Sequence, residues 1–105
     1  MHQLLLCTCP DQNTADNIAT QLLNEQLAAC VNILPGIRSV YRWQGQIENA
    51  QEHLLLIKTH DRHYAAIEAA IKKLHPYQIP EIIAIAIERG SKDYIKWIDT
   101  CLQRD

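Results

Sequence analysis

The chain has 105 residues, 48% of them hydrophobic, and sets 10 Lys and Arg against 12 Asp and Glu for a formal net charge of -2. This length holds one domain with a modest core, here residues 1–105, and the near balance of charge, without a Lys/Arg block, removes the footprint a nucleic-acid partner requires. The longest apolar run, Ile82 to Ile87, is far short of the roughly 20 residues of a membrane helix, and Met1 to Leu6 lacks the basic lead of a secretory signal; a cytoplasmic protein with reduced thiols is expected.

Leu4 to Cys9 reads as a short buried strand ended by Pro10-Asp11. Asp11 or Asn13 can cap the next helix, in which Ala15, Ile18, Ala19, Leu22 and Leu23 keep helical spacing as far as about Leu27. Two long strands, Cys30 to Trp43 and Ile47 to Thr59, then meet at Gln44-Gly45-Gln46, where Gly45 can take positive φ in a tight turn. Pro35-Gly36 marks a bulge.

Asp61 is expected to cap a second helix that lines Tyr64, Ile67, Ala70, Ile71 and Leu74 along one side. Pro76 stops that helix at or before His75, and Pro80 fixes an extended entry into a strand from Glu81 to Ile87, so the loop between them is stiff. Ser91 caps a third helix with Tyr94, Trp97, Ile98, Cys101 and Leu102 at helical spacing.

The order βαββαβ plus a terminal helix predicts an α+β, ferredoxin-like fold, and right-handed crossovers place the first strand between the third and the fourth. The fourth strand then runs antiparallel to the first. Pro80-Glu81 comes beside Cys7-Thr8-Cys9, so Cys7 or Cys9 can meet His75 or Glu81. The long β-hairpin overruns the rest of the sheet and would leave Val40, Tyr41 and Trp43 exposed in a monomer. Physics therefore favours an oligomer without fixing its number.

Five segments follow one another at close spacing: Ala28-Ala29-Cys30-Val31-Asn32-Ile33, Pro35-Gly36-Ile37, Tyr41-Arg42-Trp43-Gln44-Gly45, Leu56-Ile57-Lys58-Thr59 and Leu74-His75-Pro76-Tyr77-Gln78-Ile79-Pro80-Glu81. With them, from about Leu5 to Trp97, the chain resembles the CutA divalent-cation tolerance family. The resemblance implies a homotrimer whose hairpins pair with neighbouring subunits, a design that also resembles the PII signalling proteins. It further implies copper binding through a first-strand cysteine, here Cys7, and histidines just before the Pro-Tyr loop, here His75. Leu74 stands where such members carry a second, adjacent histidine.

A thiolate and an imidazole suit copper, zinc and similar ions, so Cys7 and His75 are the first metal candidates, with Cys9, Glu81 or a neighbouring subunit available to complete the site. The expected cofactor is copper or another divalent metal ion, with none required for folding. The plainer reading makes Cys7 a small buried apolar residue and His75 a cation at a helix end. Cys30 and Cys101 read as core, His60 and His63 as a solvated helix entrance that could share a metal, and His53 as a lone strand histidine.

Tyr41, Trp43, Glu52, Lys58, Tyr77 and Trp97 form a second candidate site. In the resemblance their counterparts gather near subunit junctions, with Glu81, as a plausible small-molecule pocket. The alternative is interface packing, with Lys58 paired to Glu52 or Glu81. With three glycines the chain has no phosphate loop, and it has no G-x-S-x-G or H-E-x-x-H. No enzyme is expected, although a Cys7/His75 pair could in principle serve as nucleophile and base. The absence of Phe and of a basic-aromatic platform disfavours RNA.

Overall fold

In a computed structural model describing residues 1–104, the elements run β1 (His2–Cys9), α1 (Gln12–Asn24), β2 (Cys30–Trp43), β3 (Gln46–His60), a 3-10 turn (Asp61–His63), α2 (Tyr64–Leu74), β4 (Ile83–Ala86) and α3 (Lys92–Cys101). The sheet order is β2-β3-β1-β4, with every neighbouring pair antiparallel. The first strand lies between the third and the fourth, as the crossover rule requires.

Odd-numbered Leu5, Cys7 and Cys9 of β1 stand opposite Ile57, Leu55 and His53 of β3. This face meets Ala15, Ile18 and Leu22 of α1 and Ile67 and Ile71 of α2, all fully buried. Each large aliphatic side chain closed off here contributes about 1.5–3 kcal/mol. A smaller cluster joins Ala29 to Ile98 and Leu102 at the end of α3. The opposite sheet face is uncovered within the chain, and Ile83 and Ile85 stand about half exposed on it.

Capping follows the sequence at two helices and departs from it at a third. Asp11 accepts from the Thr14 N–H at 2.8 Å and Ser91 from the Tyr94 N–H at 3.2 Å. Asp61, expected to cap the second helix, instead takes the N-terminal ammonium at 3.1 Å. The His60 ring accepts from the Arg62 N–H in its place, so the helix is entered through a 3-10 turn. The first helix stops at Asn24 rather than Leu27, because Gln26 turns left-handed at φ 56°. The Leu27 N–H then reaches back to the Leu22 carbonyl at 2.9 Å, a Schellman closure that carries Leu27 into the core.

The fourth strand is shorter than the expected Glu81 to Ile87. The Ile87 N–H donates to the His2 carbonyl, so the carbonyls of even β1 residues point toward β4. At the far end of that edge the Thr8 carbonyl is taken by His75 instead. Pairing therefore begins at Leu6 with Ile83.

The hairpin turn has φ 50° at Gln44 and 81° at Gly45, both signs required by a type I′ turn. The Pro35-Gly36 bulge falls where the sequence places it, between the pairs Leu34/Leu54 and Ile37/Glu52. It adds one residue to β2 and so inverts its alternation. Before the bulge Val31 and Ile33 share the core face; after it Ile37, Ser39, Tyr41 and Trp43 share the open face with Glu52.

Candidate functional site

Two groupings sit on opposite faces of one end of the sheet. On the core face, β1 brings Cys7 and Cys9 to the same side, and the end of α2 brings His75 over them. Ligand-capable atoms of these three residues all lie within 4.8 Å of one another, and all three residues are buried. Thiol, thiol and imidazole is a donor set that fits copper or zinc. Glu81 does not belong to this group, since it lies on the other face and lines a cavity there.

Burial and hydrogen bonding split the two thiols. Interaction with the Cys9 sulfur, then burial and the negative charges around it, push Cys7 far above the ordinary thiol range. The same interaction with Cys7 lowers Cys9. The Cys7 thiol also lies 3.8 Å from the Thr8 carbonyl oxygen.

His75 closes α2, its own N–H bonded to the Ile71 carbonyl at 2.8 Å. Its Nε2 lies 2.7 Å from the Thr8 carbonyl oxygen, and its Nδ1 3.1 Å from the Tyr77 N–H. A carbonyl can only accept and an N–H can only donate. The ring is therefore the neutral tautomer with its proton on Nε2, rather than the charged helix-end group of the plainer reading. Both nitrogens are engaged. Nε2–H bonded to a main-chain carbonyl is the orienting contact typical of metal-ligating imidazoles, with Nδ1 then the nitrogen bearing a lone pair.

On the open face, Thr8, Ser39, Tyr41, Trp43, Glu52 and Tyr77, with the loop Gln78 to Glu81, enclose a cavity of about 680 Å³. Glu52 is only 6% exposed, and its Oε2 accepts from the Tyr77 hydroxyl at 2.8 Å. Burial, and then this bond, push Tyr77 well above the usual phenol range. Of the expected pocket residues, Tyr41, Trp43, Glu52 and Tyr77 converge. Within the single chain two stand elsewhere, Lys58 bonded to Asn32 and Trp97 stacked on Tyr94 with ring centroids 5.6 Å apart, whereas the expectation gathers them at junctions between subunits. Lys58 does not pair with Glu52 of its own chain, because six residues of extended strand separate them, about 20 Å at the usual rise.

His60 and His63 do not converge on a shared metal. His60 lies against the N-terminus at 3.0 Å and His63 against the Gln103 carbonyl at 3.1 Å. Cys30 and Cys101 are half-buried rather than core, and all four cysteines are free. The sequence reading gave His53 no partner. The register sets it directly across from Cys9, and its Nδ1 is buried with no hydrogen-bond partner among the described residues. The readable signal was the count of residues back from the hairpin turn.

Comparison with known proteins agrees with this fold. The family model for the CutA1 divalent ion tolerance protein matches residues 3–101. The "Divalent-cation tolerance protein CutA" of Thermus thermophilus is 45% identical over 98 residues, spanning 93% of this chain and 95% of that protein. The crystal structure of CutA from Xylella fastidiosa superposes with a TM-score of 0.94 at 46% identity, covering 97% of this chain and 98% of the other. The protein from Archaeoglobus fulgidus, described as a periplasmic divalent cation tolerance protein, gives 0.95 at 42%, covering 98% and 100%.

Proposed function

Because the chain belongs to the CutA1 divalent ion tolerance family, we propose that it is a cytoplasmic, trimeric cation-tolerance protein that binds copper or another soft-to-borderline metal ion through Cys7 and His75, with Cys9 as the third donor. The observation that carries this reading is the convergence of the three buried side chains within 4.8 Å. When bound, the metal would supply Lewis acidity toward thiolate and imidazole. The chain's own residues supply the donors, the dry surroundings and, at Thr8, the carbonyl that orients the His75 ring. This reading assigns the chain no turnover and no metal requirement for folding.

Trimerisation is supported by the uncovered apolar sheet face and by Val40, Ile47 and Ile79, which are 61%, 72% and 73% exposed in a molecule measuring 44 × 26 × 21 Å. Apolar exposure of this extent calls for partner subunits.

The test is a competitive Cu(I), Cu(II) and Zn(II) titration against a chelator, with Cys7→Ser and Cys9→Ser in parallel and assembly followed by light scattering. Saturable binding lost in Cys7→Ser with the trimer intact is the expected result. Weak binding indifferent to both substitutions would sink the metal site.

One specific observation favours a second reading, that of a PII-like sensor of a small molecule or partner with incidental metal binding. The cavity that holds the Tyr77–Glu52 bond has the volume of a ligand pocket.

A further inference from the structure

The proposed metal centre on the core face is one donor short of a closed shell. Cys7 and Cys9 are fully buried and His75 is 7% exposed, so the three donors that lie within 4.8 Å of one another sit out of reach of bulk water. A tetrahedral ion held by three protein groups keeps its fourth position for water or substrate, whereas a closed site fills it with a fourth protein donor. The cover over the two sulfurs comes from the chain's own α1 and α2, and assembly with other copies can only deepen it.

His53 is placed to supply that donor. The register sets it directly across from Cys9 and on the face of Cys7, and side chains opposed in this way have Cβ atoms roughly 4.5–5.5 Å apart. Its Nδ1 is buried with no hydrogen-bond partner among the described residues. Such an atom costs stability until something meets it. It is already shut off within the single chain, so a neighbouring subunit does not reach it. His53 and His75 also share a neighbour: Asp11, lowered mainly by its bonds to Thr14, is lowered further by charge on either ring. The other groups at this end of the sheet are engaged or misplaced, since the Thr8 carbonyl is taken by His75 and Glu52 and Glu81 line the opposite face.

We infer that His53, through Nδ1, is the fourth ligand of this centre, which makes it a two-cysteine, two-histidine site for a tetrahedral divalent ion of the zinc type. His53 is not one of the three residues whose donor atoms already lie within 4.8 Å, so its ring turns in as the ion binds. Two sulfurs and two imidazole nitrogens in a tetrahedron are a set that zinc prefers. Two thiolates cancel the charge of the ion and two neutral imidazoles add none, so the loaded centre carries no net charge into the dry interior. The inference rests on the metal-binding reading above and adds to it a ligand and a class of ion.

The experiment is a Zn(II) titration of the full-length protein against a chelator, with Co(II) absorption reading the coordination shell, on the wild type, His53→Leu and His53→Cys. Circular dichroism and light scattering check fold and assembly in each. The wild type should show the intense visible bands of tetrahedral Co(II). His53→Leu should bind Zn(II) at least about tenfold more weakly, the least that removing even an outer partner of a ligand costs, and its Co(II) bands should fade. His53→Cys keeps four donors and should restore tight binding and strong bands, which a merely structural histidine does not explain. In nitrogen NMR of the wild-type imidazoles, Nδ1 of His53 should shift on addition of Zn(II).

Affinity and bands unchanged in His53→Leu, but lost in Cys7→Ser, would overturn the fourth ligand while leaving the three-donor centre standing. Weaker binding in His53→Leu that His53→Cys does not restore, with the His53 nitrogens unmoved by Zn(II), would overturn it by reducing His53 to packing. No binding of Zn(II) or Co(II) by the wild type would end both the fourth ligand and the metal reading.

Discussion

The His75 ring holds the Thr8 main-chain oxygen at 2.7 Å, and this one bond joins the end of the first strand to the end of the second helix. It also joins the two faces of the sheet, because Thr8 and Tyr77, the two partners of the ring, both line the open-face cavity. A metal taking either ring nitrogen must release one of these partners. Metal binding is therefore expected to move Tyr77 or Thr8, read as shifts of their amide NMR signals on titration with Zn(II). Saturating metal that leaves both signals in place would exclude His75 as a ligand.

His75→Ala is expected to destabilise the metal-free protein by about 1–3 kcal/mol, since it leaves a buried acceptor without its donor. Denaturant unfolding under chelation measures this. Unchanged stability would mean that water replaces the ring without cost. The size of this effect is the reason Cys7→Ser, and not His75→Ala, is the cleaner test of metal binding.

Tyr77→Phe keeps the ring and removes the hydroxyl that serves Glu52. The loss should be about 1.5 kcal/mol, at the low end for a bond to a charged acceptor because Tyr77 is 39% exposed. Spectrophotometric titration should find one tyrosine ionising well after the others, and that late step should vanish in the variant.

Acid should weaken the fold in two stages. His60 is lowered, first by burial and then by the N-terminal charge. Asp11 is lowered by its bonds to Thr14, and Asp61 by its bond to the N-terminus. Each group takes up a proton more readily when unfolded, so its contribution is present above its unfolded pKa and lost as pH falls through the folded one. Unfolding midpoints should drop below about pH 6.5, the ordinary histidine value, and again below about pH 4. Asp61→Asn should flatten the second fall, and an unchanged acid limb in that variant would discount the N-terminal ion pair.

Gly36 sits at φ 72°, and an added Cβ there would meet nothing within 4 Å. The cost of Gly36→Ala is then conformational alone, about 1–2 kcal/mol, with the bulge retained. Deleting Pro35 should do far more to the cavity. It would restore regular alternation, send Tyr41 and Trp43 to the other face, and abolish any ligand response of Trp43 fluorescence. A deletion variant that keeps that response would refute the parity argument.

Much of this was legible in the residues themselves. Helical spacing, the Asp11 and Ser91 caps, Pro35-Gly36 and the handedness of crossovers sufficed for the element order and the sheet. Asp61 was misread because the N-terminal ammonium, distant in sequence, competes for its carboxylate. The approach of His75 to Cys7 and Cys9 could be anticipated from strand order, whereas the engagement of both its nitrogens could not, since that depends on how the loop after Pro76 folds back. Lys58 and Trp97 were grouped with the cavity by resemblance. Within one chain Lys58 is held away from Glu52 by strand length, and the subunit junction where the resemblance gathers these residues involves a second chain.

The single added residue at the bulge divides one strand into two surfaces under separate control. Root positions of the hairpin answer to the core, and tip positions answer to whatever the open face meets. A substitution beyond Ile37 can therefore alter what the open face meets without disturbing the core.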